Sequence, residues 1–121
     1  MIAIRGAITI EENTEEEIKV NTIEMVKTIL EKNNLNKENI ISMIFSCTND
    51  ITKDYPGKFA RQSLSLNNVA IMHFNEMEVE NGNCLPLCIR VTIFYDRKIG
   101  DVNHVYLKKA RTLRPDLCYN D

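Results

Sequence analysis

The run Cys88-Ile89-Arg90-Val91-Thr92-Ile93-Phe94-Tyr95 constrains the fold more than any other stretch, because its β-branched and aromatic residues read as a strand. A shorter apolar run, Ile71-Met72-His73-Phe74, precedes it and ends on Asn75-Glu76-Met77-Glu78. Between them lies Glu80-Asn81-Gly82-Asn83, and Asn-Gly supplies the positive φ values of a tight turn, so the two runs are expected to pair as a β-hairpin. The connection is longer than two residues and contains Pro86, which predicts an irregular loop from about Val79 to Leu87. Charge sets this stretch apart: Glu76 closes the first strand, and Arg90 lies inside the second among apolar neighbours. Two readings of Arg90 stay open. Either its methylene stem covers apolar surface while its head stays in water, or it is a guanidinium fixed in a cleft, facing an anion or an oxygen that gains negative charge.

Residues 2 to 10 alternate with a period of two, placing Ile2, Ile4, Ile8 and Ile10 on one face of a strand and Arg5 on the other. Gly6 either lets something approach the backbone closely or marks a bulge. Asn13-Thr14-Glu15-Glu16-Glu17 is a helix start: Thr14 and Glu17 have capping-box spacing, and carboxylates suit the positive end of the helix dipole. Ile18, Thr22, Met25, Val26, Ile29 and Leu30 recur at helical spacing as far as about Lys32, where Asn33 and Asn34 stop the helix. Ile40 to Cys47 reads as a strand buried on both faces, with Ile41, Met43, Phe45 and Cys47 on one side and Ile40, Ser42, Ile44 and Ser46 on the other. A polar loop follows. Pro56 then opens a short helix to about Leu64 that carries Lys58 and Arg61, a basic pair that taken by itself is more typical of a solvated face than of an anion site. His104 to Leu107 is a short strand, Lys108 to Thr112 leads on to Leu113-Arg114-Pro115-Asp116, and the tail after Asp116 is expected to fray. The pattern is that of an α+β fold: one domain over residues 1–121, with five strands, a long helix and a short one.

The chain has 44% hydrophobic and 26% charged residues, ordinary for a globular domain, and a formal net charge of −2, which argues against nucleic acid as its partner. No apolar run approaches the roughly 18 residues of a membrane span, and the amino terminus lacks a secretory pattern, so no membrane association is expected and the cytoplasm is the expected location. Cys47, Cys84, Cys88 and Cys118 are scattered in a way that suits free thiols. Cys84-x-x-x-Cys88 has half the form of a metal site, but no second pair follows, and His73 and His104 are far apart in sequence, so no metal is assigned.

In order, Ile4-Arg5-Gly6-Ala7, Tyr55-Pro56-Gly57-Lys58-Phe59-Ala60-Arg61, Asn75-Glu76-Met77, Cys88-Ile89-Arg90-Val91, His104-Val105-Tyr106-Leu107 and Leu113-Arg114-Pro115-Asp116 resemble the motifs of the monofunctional chorismate mutases of the trimeric, mixed α/β class. The resemblance covers nearly the whole chain. It implies a five-stranded mixed sheet with flanking helices, three copies of which form a pseudo-barrel with an active site at each subunit interface. The implied activity is conversion of chorismate to prephenate, with no cofactor. Arg90 is then the group facing the ether oxygen, and Glu76 accepts a hydrogen bond from the ring hydroxyl. Arg5 and Tyr106 hold a substrate carboxylate, Arg61 and Arg114 attract the dianion from the pocket mouth, and Tyr55 and Leu113 line an apolar wall. Lys58, Met72 and His73 complete the implied binding set. Three departures stand out: Met72-His73 replaces a Thr-Cys pair, Tyr55 replaces Phe, and the 79–87 loop is longer and carries Pro86. Two other functions use a strand arginine to hold a carboxylate: an imine or enamine deaminase of the similar trimeric fold, and a non-catalytic trimer that senses a small carboxylate. Glu76 with Arg90 and the terminal Leu-Arg-Pro-Asp fit the mutase pattern better than the deaminase.

Overall fold

The computed structural model describes residues 1–80, 82 and 84–117. Its framework is one five-stranded mixed sheet built from β1 (Ile2–Thr9), β2 (Ile40–Cys47), β3 (Ala70–Asn75), β4 (Cys88–Tyr95) and β5 (Val105–Tyr106). The strand order is β3-β2-β4-β1-β5, with β1–β4 and β2–β4 antiparallel and β1–β5 and β2–β3 parallel. The expected hairpin therefore does not form. β2 lies between β3 and β4 and pairs with both, so the two runs are not neighbours. Asn81 and Asn83, half of the expected turn, lie outside the described residues, as does Cys118.

Two helices, α1 (Glu15–Lys32) and α2 (Pro56–Ser63), lie on one face of the sheet. Thr14 caps α1 through its hydroxyl, which accepts from Glu17 N at 3.1 Å. The reciprocal half of the capping box is redirected: the Glu17 carboxylate accepts from Glu11 N at 2.9 Å. At the other end Asn34 adopts φ 50°, the left-handed value that stops a helix. Asn33 stays buried there; its side chain donates to Ile29 O and Asn103 O and accepts from Asn103 N, tying the end of α1 to the approach to β5.

Ile18, Met25, Val26 and Ile29 of α1 bury against Ile4, Ile8, Met43, Phe45, Ile89, Val91 and Ile93 of the sheet. Gly6 makes the approach of α1 possible. A Cβ at Gly6 would lie 2.5 Å from Ile29 Cδ1, closer than real carbon atoms come.

The opposite face is largely bare, contrary to the expectation that β2 is buried on both sides. Ser42, Ile44 and Ser46 are only half-buried, and Met72 and Phe74 on neighbouring β3 are 57% and 51% exposed. Ile41 is exposed as well, because a register irregularity between Ile40 and Ser42 takes it out of the alternation. The C-terminal segment closes one corner of this face. Ala7, Cys88, Tyr106 and Ala110 form a second cluster there, packed against Leu85, Leu113 and Leu117. Beyond β5, Lys108–Thr112 and Pro115–Leu117 are short 3₁₀ turns, the first entered through Lys108 at φ 55°. Among the described residues no helix is long and apolar enough to cross a membrane.

Candidate active site

Strand pairing fixes which side chains meet on the bare face. Arg90 pairs with Ser46 on one side and Ala7 on the other; Thr92 pairs with Arg5, and Tyr106 with Ala7. Because alternate residues of a strand point to one side, Arg5, Ser46, Arg90 and Tyr106 share this face. Glu76 joins them from the end of β3, held there by its backbone N–H, which donates to Cys47 O at 2.7 Å. The five line a cleft of about 230 Å³. A larger hollow of about 760 Å³ opens on the other side of Glu76 and Arg90, bounded by residues 77–79, Gly82, residues 84–86, the 48–50 loop and Leu113.

The centre of the cleft is a shared carboxylate oxygen. Glu76 Oε2 accepts from Ser46 Oγ at 3.1 Å and faces Arg90 Nη1 at 3.5 Å, the long limit of a hydrogen bond. Arg90 and Glu76 are each about one-third exposed, at 38% and 32%, so a ligand can reach both. A guanidinium has five N–H donors, and one long bond leaves Arg90 with donors for an incoming acceptor. The start of β4 is pinned close by: Thr48 Oγ1 accepts from Cys88 N at 3.0 Å, and Asp50 Oδ2 accepts from Leu87 N at 2.9 Å.

Arg5 is exposed at the cleft, and its backbone N–H donates to His104 Nδ1 at 3.0 Å. Burial lowers the His104 pKa, and the positive charges of Arg5 and Arg114 lower it further. The C-terminal segment thus brings Arg114 within electrostatic range of this corner, although Arg114 makes a two-pronged pair with Asp116, 3.0 Å from Nε and 2.9 Å from Nη2. That pair raises the Arg114 pKa and lowers that of Asp116. Burial also pushes the Cys47 and Cys88 thiols up, to about 12 and about 11, so neither is a thiolate nucleophile near neutral pH; Cys84 is exposed.

Of the residues the sequence singles out, Arg5, Glu76, Arg90 and Tyr106 meet in the smaller cleft, and Leu113 borders the larger hollow. The others do not line either space. Tyr55, Lys58 and Arg61 stand on α2 or at its start; Lys58 pairs with Asp54 at 2.9 Å, and Tyr55 is 65% exposed. Met72 lies on the bare face but on edge strand β3. His73 points to the opposite face, where its Nε2 accepts from Gly57 N at 2.9 Å, so it does not face the cleft of its own chain. Sequence reasoning missed Ser46 as a partner of Glu76; its alternation with Phe45 hinted at the face but not at the contact.

Residues 1–117 match the family model for chorismate mutase type I. The chain belongs to the type I chorismate mutase family. Two curated relatives are named Chorismate mutase AroH. The one from Bacillus subtilis (strain 168) is 39% identical over 116 residues, covering 94% of this chain and 90% of its own. The one from Thermus thermophilus is 39% identical over 117 residues, covering 94% and 93%. A solved chorismate mutase from Clostridium thermocellum superposes with a TM-score of 0.85 at 36% identity, over 93% of this chain and 99% of its own. Membership of this family favours neither the deaminase nor the carboxylate-sensor reading of Arg90.

Proposed function

We infer that the cleft of Arg5, Ser46, Glu76, Arg90 and Tyr106 is where the family's reaction takes place. The chain is an isomerase that rearranges chorismate to prephenate, the step toward phenylalanine and tyrosine that goes with its family. The observation that carries the assignment to this cleft is the meeting of two guanidinium groups and a phenol around a single carboxylate.

Chorismate is a dianion, so its pocket needs donors that hold carboxylates in a fixed orientation; Arg5 and Tyr106 serve one carboxylate, and Arg114 adds attraction from the C-terminal side. The rearrangement breaks an ether C–O bond as it forms a C–C bond in one concerted step, and such a step requires neither proton transfer nor a nucleophile. Catalysis then comes from holding the compact conformer and from stabilising the charge that develops. Arg90 faces the ether oxygen, where negative charge grows. Glu76 accepts from the ring hydroxyl and favours partial positive charge on the ring.

One chain supplies only part of the enclosure. Tyr55, Lys58, Arg61 and Met72 belong to the other edge of the sheet, and Ile44, Met72, Phe74 and Phe94 leave an apolar face without cover. We place the missing wall on a second copy: a homotrimer in which α2 and β3 of one subunit close the cleft of the next, with Tyr55 and Leu113 as apolar lining. The enzyme is assigned to the cytoplasm. The decisive experiment follows the loss of chorismate absorbance with purified protein in the presence of a chelator, alongside light scattering. Metal-independent turnover by a trimer is expected. Substrate binding without turnover, or full activity of a dilute monomer, would refute this reading.

A further inference from the structure

His73 occupies a position of a different kind from the one its motif suggests. Helix α2 begins with Pro56, and its N-cap residue, Tyr55, makes no side-chain cap. The first N–H groups of a helix have no partner within it, so they need acceptors from elsewhere. Gly57 N finds one across the structure in His73 Nε2, at 2.9 Å. The imidazole is clamped from two sides, stacked on Phe45 with ring centroids 5.2 Å apart and covered by Tyr55 at 5.1 Å. A Cβ on Gly57 would lie 2.8 Å from His73 Nε2 and 2.6 Å from Ile71 Cγ2, so the contact depends on glycine at that helix position.

We propose that His73 is a positioning residue: from β3 it caps α2 and so sets the placement of Tyr55, Lys58 and Arg61, the groups that α2 presents to the neighbouring subunit's cleft. The inference rests on the reading that α2 forms the second wall of that cleft. The helix has eight residues. With so few internal hydrogen bonds, its orientation depends on the contacts at its ends, and His73 provides one of them. The histidine must present an unprotonated Nε2, which places its proton on Nδ1. Its loss alters how the dianion is gripped by the second wall, while the Arg90–Glu76 centre, on the other face of the sheet, is untouched.

The test compares three variants in steady-state kinetics with chorismate. His73→Phe keeps the stacking but removes the acceptor; it is expected to raise KM roughly two- to tenfold, in line with the loss of a helix cap, with kcat within about twofold. His73→Gln, which carries an oxygen near the former Nε2, is expected to restore KM. Arg61→Ala reports on the underlying reading, since it removes a charge from the same helix. If Arg61→Ala raises KM while His73→Phe leaves it unchanged, the positioning role is wrong and the wall stands. If Arg61→Ala has no effect, the wall itself is refuted, and the inference with it. Should His73→Phe fail to fold, nitrogen NMR of the unaltered protein decides: an unprotonated Nε2 supports the cap, and a proton on Nε2 overturns it.

Discussion

Ser46 and Arg90 face each other across the β2–β4 register and approach the same atom, Glu76 Oε2, at 3.1 and 3.5 Å. The serine bond is the shorter one, and it draws the carboxylate toward β2, leaving Arg90 loosely held. Ser46→Ala removes that restraint and lets Glu76 collapse onto Arg90 as an ion pair, occupying the guanidinium that the substrate needs. A hydrogen bond to a charged group contributes about 1.5 to 3 kcal/mol, so a fall in kcat of roughly tenfold or more is expected, with Ser46→Thr close to unaltered because it keeps the hydroxyl. Normal kcat in Ser46→Ala would show that Glu76 is positioned by its backbone alone.

Arg114 presents a different balance, because its guanidinium already holds Asp116 through two bonds. Acting at the pocket mouth by attraction, it belongs to capture of the dianion and not to the reacting bond. Arg114→Ala is therefore expected to raise KM more than it lowers kcat, and the rise should shrink as salt screens the charge. A defect confined to kcat and insensitive to salt would contradict this role.

Both histidines accept a backbone N–H through an unprotonated ring nitrogen, His73 from Gly57 and His104 from Arg5. Burial lowers both from the ordinary value of 6.5, and at His104 the charges of Arg5 and Arg114 add to the effect. An unfolded chain takes up these protons near pH 6.5, whereas the native chain does so only at lower pH. In between, the unfolded state binds more protons, so stability rises with pH there. The contribution is complete above pH 6.5 and is lost as pH falls from that value through the depressed native values. Asp54 and Asp116, lowered from 3.8 by their bonds to Lys58 and Arg114, add a second and more acidic decline. Urea midpoints measured between pH 7.5 and 5 should show the first decline, and His73→Gln combined with His104→Asn should flatten it. An unchanged slope in the double variant would rule out the histidines as its source.

The packing of α1 on the sheet turns on Gly6 and Ile29. An added methyl at Gly6 meets Ile29 Cδ1 at 2.5 Å and Val91 Cγ1 at 3.3 Å, so Gly6→Ala overfills the core. Overpacking of this kind costs about 1 to 3 kcal/mol. Ile29→Val deletes the offending carbon, so the double variant should be less destabilised than the sum of the two single changes, a coupling read from denaturant midpoints. Strict additivity would place the strain elsewhere.

Much of this architecture was legible in the chain because its signals are local. Thr14 and the spacing of Ile18, Met25, Val26 and Ile29 mark α1, and the alternation around Arg5 assigns it to the face opposite Ile4 and Ile8. Strand partnership is not local. Asn81-Gly82 signals a turn, but nothing near it reveals that β2 lies between β3 and β4, since that choice depends on which arrangement buries Met43, Phe45, Ile89 and Ile93 together under α1. The direction of His73 is hidden for a related reason. Period two separates it from Met72, but only the Phe45–His73 register shows which of the two turns toward the helices. The bare side of β2 was misread because apolar residues on both faces suggest burial within one chain, and Ile44, Met72 and Phe74 are apolar without being covered.

The sharpest expectation concerns Arg90. If it stabilises the ether oxygen, its interaction strengthens as the C–O bond stretches, so its removal falls on kcat more than on KM. Loss of one well-placed electrostatic group typically costs ~3 to 4 kcal/mol, or roughly a thousandfold in rate, and a full positive charge in a sheltered cleft can contribute more. Arg90→Lys keeps the charge but loses the planar fork, so it tests geometry with the charge retained. Replacing Arg90 by citrulline keeps the planar shape and removes only the charge. Electrostatic catalysis requires the citrulline enzyme to fold and bind chorismate while its kcat collapses. Near-normal kcat in that enzyme would mean that Arg90 only orients the substrate, and the burden of the transition state would shift to Arg5, Glu76 and the compact binding geometry.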